Sequence, residues 1–169
     1  MIVIGVDPGI EKTGVGIVEK LNNSYNLVFT TLIRTDSKLE QSERLVIIYD
    51  KMMEIMSSHK VNHASVERLF FAKNVKTALN VSEARGVILL SLKKNNLPIY
   101  EYTPLQVKQA LIGYGRAEKS QIQFIIQRML NMTSIIKPDD VADAVAIALT
   151  HINSYAMISK IKKSNMEGL

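Results

Sequence analysis

The first third of the chain is a series of short apolar runs separated by polar turns, which is the pattern of β-strands. The run Met1–Asp7 is rich in β-branched residues and ends at the turn-forming Asp7-Pro8-Gly9. Two further runs follow, Thr13–Glu19 and Tyr25–Thr35, and the second has apolar residues at the alternate positions Leu27, Phe29 and Ile33. The pattern predicts an antiparallel meander of three strands.

Beyond residue 36, apolar positions at helical spacing alternate with strand-like runs. Ser37 and Glu40 form a capping box, in which the serine begins a helix and the glutamate reaches back to it. The apolar positions of this helix are Leu45, Ile48, Met52, Ile55 and Met56. The pattern then predicts a strand over His63–Phe70, a helix from the cap Asn74 to Lys94, and a strand over Pro98–Tyr102.

The next helix is marked at both ends. Thr103 and Gln106 form a second capping box, Pro104 occupies the favourable first helical position, and Gly113 and Gly115 stop the helix.

Two helices complete the pattern, one over Ser120–Met132 and an alanine-rich one from Asp139 through Leu149. The order of elements predicts an α/β fold, in which a mixed sheet combines the antiparallel meander with later parallel strands and is flanked by helices. We expect one domain over residues 1–159 and a polar, frayed tail over residues 160–169.

Composition narrows the classes of function. The 169 residues are 47% hydrophobic and 22% charged, as in an ordinary globular domain. The absence of cysteine excludes disulfides, thiolate zinc sites and cysteine nucleophiles, so we expect a reducing, cytoplasmic setting. We expect no membrane partner, because no apolar run is long enough to span a bilayer. The net charge of +5 favours a polyanionic partner, though only modestly.

Four acids stand out against this basic balance, and most of them have an ordinary explanation when taken singly. Asp7 is a turn-initiating aspartate, and Glu67 is an edge-strand glutamate next to Arg68. Asp140 complements the dipole at the start of a helix. Asp143 fits that explanation less well, because it lies one turn deeper among apolar residues.

Considered together, the four acids predict a metal site. Asp140 and Asp143 share one helix face, and an acid on an alanine-rich, sheet-facing helix is costly to bury unless it is paired or binds a metal. A helix that crosses the sheet beside the first strand places them opposite Asp7 and Glu67. Mg²⁺ prefers carboxylate oxygens, and two ions about 3.5–4 Å apart catalyse phosphodiester hydrolysis.

The histidines do not offer an alternative metal site. His59, His63 and His151 lack the spacing of metal ligands. His151 lies two turns beyond Asp143, so we interpret it as structural, with a supporting role behind the metal ligands as the alternative.

Short motifs follow one another through residues 2–151. They are Asp7-Pro8-Gly9 with Thr13-Gly14-Val15-Gly16, Glu67-Arg68-Leu69-Phe70-Phe71-Ala72-Lys73-Asn74, Ala84-Arg85-Gly86, Glu101-Tyr102, Gln106-Val107-Lys108-Gln109, Ala117-Glu118-Lys119-Ser120-Gln121 and Asp140-Val141-Ala142-Asp143-Ala144. In this order they resemble the RuvC family of Holliday junction resolvases.

The resemblance implies an RNase H-like fold and a homodimer that nicks two strands of like polarity in a four-way DNA junction. It implies Mg²⁺, with Mn²⁺ as a substitute and two ions per active site, and it implies the branch-migration proteins RuvA and RuvB as partners. The family's catalytic and metal-binding acids fall on Asp7, Glu67, Asp140 and Asp143. Asp139 is the alternative to Asp140, but it lacks the three-residue spacing to Asp143.

The resemblance also implies DNA contacts, at Phe70, Lys73, Lys108, Arg116 and Lys119. Lys108 and Lys119 would contact phosphates, and Phe70 would stack on an unpaired base. The ordinary alternatives are a solvated basic surface for the cations and core packing for Phe70. Lys76 and Arg85 would extend the basic face.

Other features keep two interpretations. Gly14 and Gly16 indicate a close approach of backbone or DNA to the first strands, or simple strand glycines. The helix over Asn74–Lys94 is a candidate dimer interface or ordinary core. The rival functions are an actin-like ATPase, an RNase H-like protein of RNA metabolism, and a DNA-binding module without catalysis.

Overall fold

A five-stranded mixed sheet forms the centre of the protein. The computed structural model describes residues 1–68 and 75–167, with the backbone alone for residues 75–77 and 156–167. The strands are β1 (Ile2–Asp7), β2 (Lys12–Leu21), β3 (Ser24–Arg34), β4 (His63–Glu67) and β5 (Ile99–Tyr102). Their order is β3-β2-β1-β4-β5, with antiparallel pairing in β1–β3 and parallel pairing of β4 to β1 and β5. The predicted fold class is confirmed.

Helices cover both faces of the sheet. They are α1 (Gln41–Ser58), α2 (Val75–Lys94), α3 (Pro104–Ile112), α4 (Lys119–Met129) and α5 (Asp139–Glu167). α1 and α2 enclose one core with side chains such as Ile4 and Val66, and α3, α4 and α5 enclose the other with side chains such as Val3 and Val18. Side chains alternate along each strand, so β1 and β2 contribute to both cores.

Glycines allow α5 to lie directly on β1 and β2. A Cβ built on Gly14 would stand 2.0 Å from the carbonyl oxygen of Asp140, and one on Gly16 would stand 2.5 Å from Val145 Cγ2. A Cβ on Gly5 would meet the carbonyl oxygen of Ala144 at 2.0 Å. The close backbone approach that we expected for Gly14 and Gly16 is therefore confirmed, and the partner is the helix α5.

Two helices begin at other residues than the sequence predicted. Ser37 does not cap α1, because Asp36 accepts a hydrogen bond from the Lys38 amide at 2.9 Å and closes a turn there. The capping box is formed instead by Glu40 and Glu43.

The helix predicted over Ser120–Met132 spans Lys119–Met129 instead, with the capping box on Glu118 and Gln121. The capping box of Thr103 and Gln106 is confirmed, and Gly113 takes the left-handed conformation that ends α3.

A β-bulge breaks the alternation that we predicted in the third strand. Phe29 pairs with Ile17, but the next pair is Leu27 with Val18, so Val28 is the extra residue. Leu27 consequently packs in the α5 core, whereas Phe29 packs in the α1 core.

The boundaries of the last elements also differ. β4 ends at Glu67, and the rest of the predicted strand to Phe70 lies outside the described residues, as does the predicted cap Asn74. α5 extends to Glu167, so the helix includes residues 160–167. The division into one domain over residues 1–159 and a tail stays a prediction.

Candidate active site

Two carboxyl groups stand at the ends of neighbouring strands in the middle of the sheet. Asp7 is the last residue of β1 and Glu67 is the last residue of β4. The two strands are parallel, with Val6 opposite Val66, and both valines pack in the α1 core. Asp7 and Glu67 therefore point to the α5 side of the sheet. Their carboxyl groups share a hydrogen bond.

The start of α5 brings two further carboxylates to the same place. Gly14 is the β2 residue opposite Asp7, and the Asp140 carbonyl packs against it. Asp143 follows on the same helix face, and the charges of both residues act on Asp7. The structure thus brings together the four acids singled out in the sequence, Asp7, Glu67, Asp140 and Asp143.

The cluster opposes its own ionisation. Burial, followed by the charge and hydrogen bond of Glu67 and the charges of Asp143 and Asp140, raises the pKa of Asp7 to about 8. Burial also raises the pKa of Glu67, while the hydrogen bond from Asp7 lowers it. The raised pKa of Asp7 therefore favours its protonated form within the cluster, which relieves part of the repulsion among the acids.

Lys119 supplies a positive charge at the edge of the cluster. Its Nζ donates to Asp143 Oδ2 at 2.9 Å and lies 3.4 Å from Asp139 Oδ2. Burial lowers the pKa of Lys119, but the hydrogen bonds and charges of the two aspartates outweigh it and raise the pKa overall. The structure therefore pairs the predicted phosphate contact with a predicted catalytic acid.

The Asp139 carboxylate makes its contacts with Gln123, Lys119 and Lys137, whereas the charge of Asp140 acts on Asp7. Its carboxylate accepts from Gln123 Nε2 at 3.0 Å and lies 3.6 Å from Lys137 Nζ. The charge of Lys119, its hydrogen bond and that of Gln123 lower the pKa of Asp139, whose side chain is 48% exposed. These contacts support Asp140 over Asp139 as the member of the cluster.

A cleft of about 280 Å³ adjoins the cluster. Polar groups at its mouth come from Glu67, Asp143, Lys108 and Lys119, and apolar side chains line the rest: Pro104, Val107, Ile122, Ala146 and Ile147. Of the predicted DNA contacts, Lys108 and Lys119 thus lie beside the acids. Arg116 is an exposed residue of the loop between α3 and α4. Phe70, Lys73 and the side chain of Lys76 lie outside the described residues.

His151 belongs to a buried hydrogen-bonded chain that sequence reasoning missed. Its Nε2 lies 2.8 Å from His63 Nδ1, and its Nδ1 lies 2.8 Å from the hydroxyl of Tyr102. Burial, followed by the charge of His63, lowers the pKa of His151 to about 4. The imidazole is therefore neutral and ties α5 to β4 and β5, as a structural residue would.

The donor set suits a hard divalent cation. Among the side chains that the structure describes, no three acids or histidines are spaced to enclose an ion. Four converging carboxyl groups, with the pKa of Asp7 raised to about 8 by burial, offer the oxygen ligands that Mg²⁺ prefers. Binding of a cation would release the proton and relieve the repulsion.

The comparisons with known proteins decide the family. The model of the family described as "Crossover junction endodeoxyribonuclease RuvC" matches residues 3–151. The chain belongs to the RuvC family. A RuvC protein of Halothermothrix orenii is 51% identical over 160 residues, which cover 95% of this chain and 97% of that protein. This family consists of metal-dependent crossover junction endonucleases, so the predicted family and nuclease activity are confirmed over the ATPase and RNA-metabolism alternatives.

Solved structures agree with this membership. Thermus thermophilus RuvC in complex with a Holliday junction substrate matches with a TM-score of 0.89 and 33% identity, over 93% of this chain and 96% of that chain. The yeast mitochondrial Holliday junction resolvase Ydc2 matches with a TM-score of 0.70 and 14% identity, over 99% of this chain and 86% of that chain. At that identity the second likeness shows the fold alone. Within the described part of this RuvC chain, no helix is both long and apolar enough to cross a membrane.

Proposed function

We propose that this RuvC chain cuts four-way DNA junctions at the cluster of Asp7, Glu67, Asp140 and Asp143. The observation that carries the proposal is the meeting of the four carboxyl groups at the ends of β1 and β4 and the start of α5. An acidic cluster without a cation would repel the phosphates of DNA. Its place beside two lysines in a basic chain supports catalysis rather than DNA binding alone.

The four acids would hold Mg²⁺, with Mn²⁺ as a substitute and two ions per site. Bound there, the ions supply activation of the attacking water and stabilisation of the leaving oxygen. The donor set agrees with this, because the pKa of Asp7, raised to about 8 by burial, reports a cluster that gains from added positive charge.

Two lysines of the chain would position the junction. Lys108 from α3 and Lys119 from α4 line the cleft beside Glu67 and Asp143. A phosphate that approaches this cleft meets both ammonium groups, and such contacts place the backbone without reading base sequence. Lys119 would exchange its contact with Asp143 for a contact with phosphate.

Paired nicks require two sites related by a two-fold axis, and we propose a homodimer for that reason. α2 exposes apolar side chains to solvent, Leu79 at 59% and Leu90 at 56%, which supports this helix as the interface. RuvA and RuvB, as partners, and a cytoplasmic location, where the junction DNA is found, belong to the same proposal. They rest on the family resemblance and on the substrate.

The decisive experiment compares cleavage of a synthetic four-way junction with cleavage of linear duplex, each with and without Mg²⁺. We expect nicks in the junction with Mg²⁺ alone, and loss of these nicks in Asp7→Asn while junction binding persists. Asp50→Asn is the matched control, since it removes an exposed carboxylate of α1, outside the cluster. Binding of the junction without Mg²⁺-dependent nicks would instead support a non-catalytic module.

A further inference from the structure

Arg85 reaches the end of β4 from the face of the sheet opposite the acidic cluster. It lies on α2, and its Nε donates to the backbone carbonyl oxygen of Glu67 at 3.4 Å. The Glu67 carboxyl points to the α5 side, so its side chain and its carbonyl are contacted from different layers. We expected Arg85 to extend the basic face of the protein. Its side chain is only 20% exposed, so most of it lies away from solvent.

Glu101 holds Arg85 in this position. It lies in β5, opposite Val66 of β4, and its Oε1 accepts a hydrogen bond from Arg85 Nη2. Arg68 approaches the other oxygen of the same carboxylate, with Nε 4.0 Å from Oε2, and is much more exposed, at 65%. Arg85 is thus the enclosed partner of Glu101, and Arg68 is the solvated one.

The contacts fix one particular peptide unit. The unit between Glu67 and Arg68 carries two polar groups, the Glu67 carbonyl and the Arg68 amide. The Arg68 amide donates to the carbonyl of Tyr102 at 2.8 Å, while the Glu67 carbonyl accepts from Arg85. One bond comes from the β5 backbone and the other from an α2 side chain, so both ends of this peptide are held. The orientation of a peptide plane determines where the adjoining side chain points.

Enclosing Arg85 is costly. Burial, followed by the charge of Arg68, lowers the pKa of its guanidinium. A guanidinium stays charged in proteins, so this desolvation is a cost that Glu101 and the Glu67 carbonyl offset. A surface arginine that only attracted DNA would not need to lie between α2 and the sheet.

We propose that Arg85 is a positioning residue, which orients Glu67 toward Asp7 and the start of α5 by holding the peptide after β4. The proposal rests on the proposed role of Glu67. Arg85 itself touches neither the other acids nor, on this account, the DNA. Catalytic groups tolerate little displacement, and a shift of about 1 Å costs on the order of 100-fold in rate.

The test compares Arg85→Ala, Arg85→Lys and Glu101→Gln with the wild type. Arg128→Ala is the matched control, since it removes an arginine from the far end of α4, where it stacks over Phe124. Four quantities are measured: the single-turnover cleavage rate of a four-way junction, the Kd for the junction, the shift of Tm caused by Mg²⁺ without DNA, and amide hydrogen exchange over residues 66–68.

We expect Arg85→Ala to lower the cleavage rate by about 10-fold to 100-fold with the junction Kd within about twofold of wild type. The Mg²⁺-induced shift of Tm should shrink, and the Arg68 amide should exchange faster. Arg85→Lys should be intermediate, because an ammonium keeps the charge near Glu101 but lacks the planar fork that serves two acceptors. Glu101→Gln should follow the same direction, and Arg128→Ala should match wild type.

Wild-type cleavage and an unchanged Mg²⁺ shift in folded Arg85→Ala would overturn the proposal. A weaker junction Kd with an unchanged rate at saturation would also overturn it, because Arg85 would then be a DNA contact. If Arg85→Ala does not fold, the two milder variants decide. A wild-type cleavage rate and a wild-type Mg²⁺ shift of Tm in both Arg85→Lys and Glu101→Gln would contradict the proposal. Glu67→Gln distinguishes failure of the proposed function from failure of this inference. Full cleavage by Glu67→Gln contradicts the proposed catalytic role of Glu67. Loss of cleavage in Glu67→Gln with full cleavage by Arg85→Ala contradicts only the positioning role of Arg85.

Discussion

Lys119 donates a hydrogen bond to Asp143 over 2.9 Å, so a cation of the chain occupies one side of the acidic cluster. The same ammonium is exposed enough, at 50%, to meet DNA. Its two possible partners, carboxylate and phosphate, compete for one group. If Lys119 contacts phosphate as proposed, entry of the substrate would release the Asp143 carboxylate toward the proposed metal site.

Removing the Lys119 side chain should therefore weaken the binding of DNA and strengthen the binding of Mg²⁺. In Lys119→Ala we expect weaker binding of the junction, with a salt dependence shallower by about one unit of slope. Without DNA, the same variant should bind Mg²⁺ more tightly, because Asp143 is no longer paired. Lys137→Ala is the control, since Lys137 approaches Asp139 but not Asp143 among the ion pairs of the described residues. An unaltered salt slope would contradict the phosphate contact.

Asp7→Asn should stabilise the protein while abolishing cleavage. Burial, followed by the neighbouring carboxyl groups, raises the folded pKa of Asp7 from its ordinary 3.8 to about 8, so ionisation favours unfolding increasingly as pH rises through this interval. In EDTA at pH 9, the variant should have the higher Tm, by about 2–4 °C for each kcal/mol of repulsion removed. Mg²⁺ should raise the Tm of wild type more than that of the variant. A lower Tm of Asp7→Asn at this pH would count against the strained cluster.

The buried His151 should make the protein sensitive to acid. Its folded pKa is lowered from 6.5 to about 4 by burial, so the unfolded state binds the proton first as pH falls. The resulting stability is complete above about pH 6.5 and is lost as pH falls toward 4. Asp7 acts in the opposite direction over part of this range, so the measurement is made in Asp7→Asn.

Chemical denaturation at several pH values between 4 and 7 checks this prediction. His151→Gln in the Asp7→Asn background should show a flatter dependence of unfolding free energy on pH. His59→Gln, at the end of α1, serves as the control and should keep the original dependence. Equal slopes with and without His151 would mean that the imidazole is not a buried neutral group.

Gly14→Ala should displace the start of α5 from the sheet and thereby impair both stability and cleavage. Its new Cβ would stand 2.0 Å from the Asp140 carbonyl, and neither backbone can yield without moving the start of α5. We expect a large loss of junction cleavage together with a reduced Tm. Ser42→Ala, at an exposed position in the first turn of α1, is the control and should leave cleavage and Tm close to those of wild type. Circular dichroism distinguishes loss of the sheet from displacement of one helix.

The order of strands and helices was predictable because it depends on local patterns. The Thr103 cap, the Gly113 stop and the apolar spacing of α1 all act within a few residues of the chain. The acids were predictable for a similar reason, since Asp7 ends an apolar strand and Asp143 interrupts an apolar helix face. Family motifs then supplied the substrate, which local chemistry alone does not specify.

What the sequence did not predict depends on contacts between distant segments or on competition between neighbouring caps. His63 and His151 are 88 residues apart, and only the fold places them 2.8 Å from one another. The bulge at Val28 changes which face Leu27 occupies, although the alternation of apolar residues looks regular. Glu40 rather than Ser37 caps α1, because the Asp36 carboxylate closes a turn across Ser37 by accepting from the Lys38 amide.

The glycine contacts of α5 have a consequence for how this site tolerates change. Where two backbones touch, their separation is a constant of peptide geometry and does not depend on which side chains fill the core nearby. The spacing between the strand acids and the helix acids is set at Gly14 in this way. We therefore expect that substitutions elsewhere in the two cores alter the thermal stability of the protein over a wide range while the distances between its proposed catalytic carboxylates stay the same.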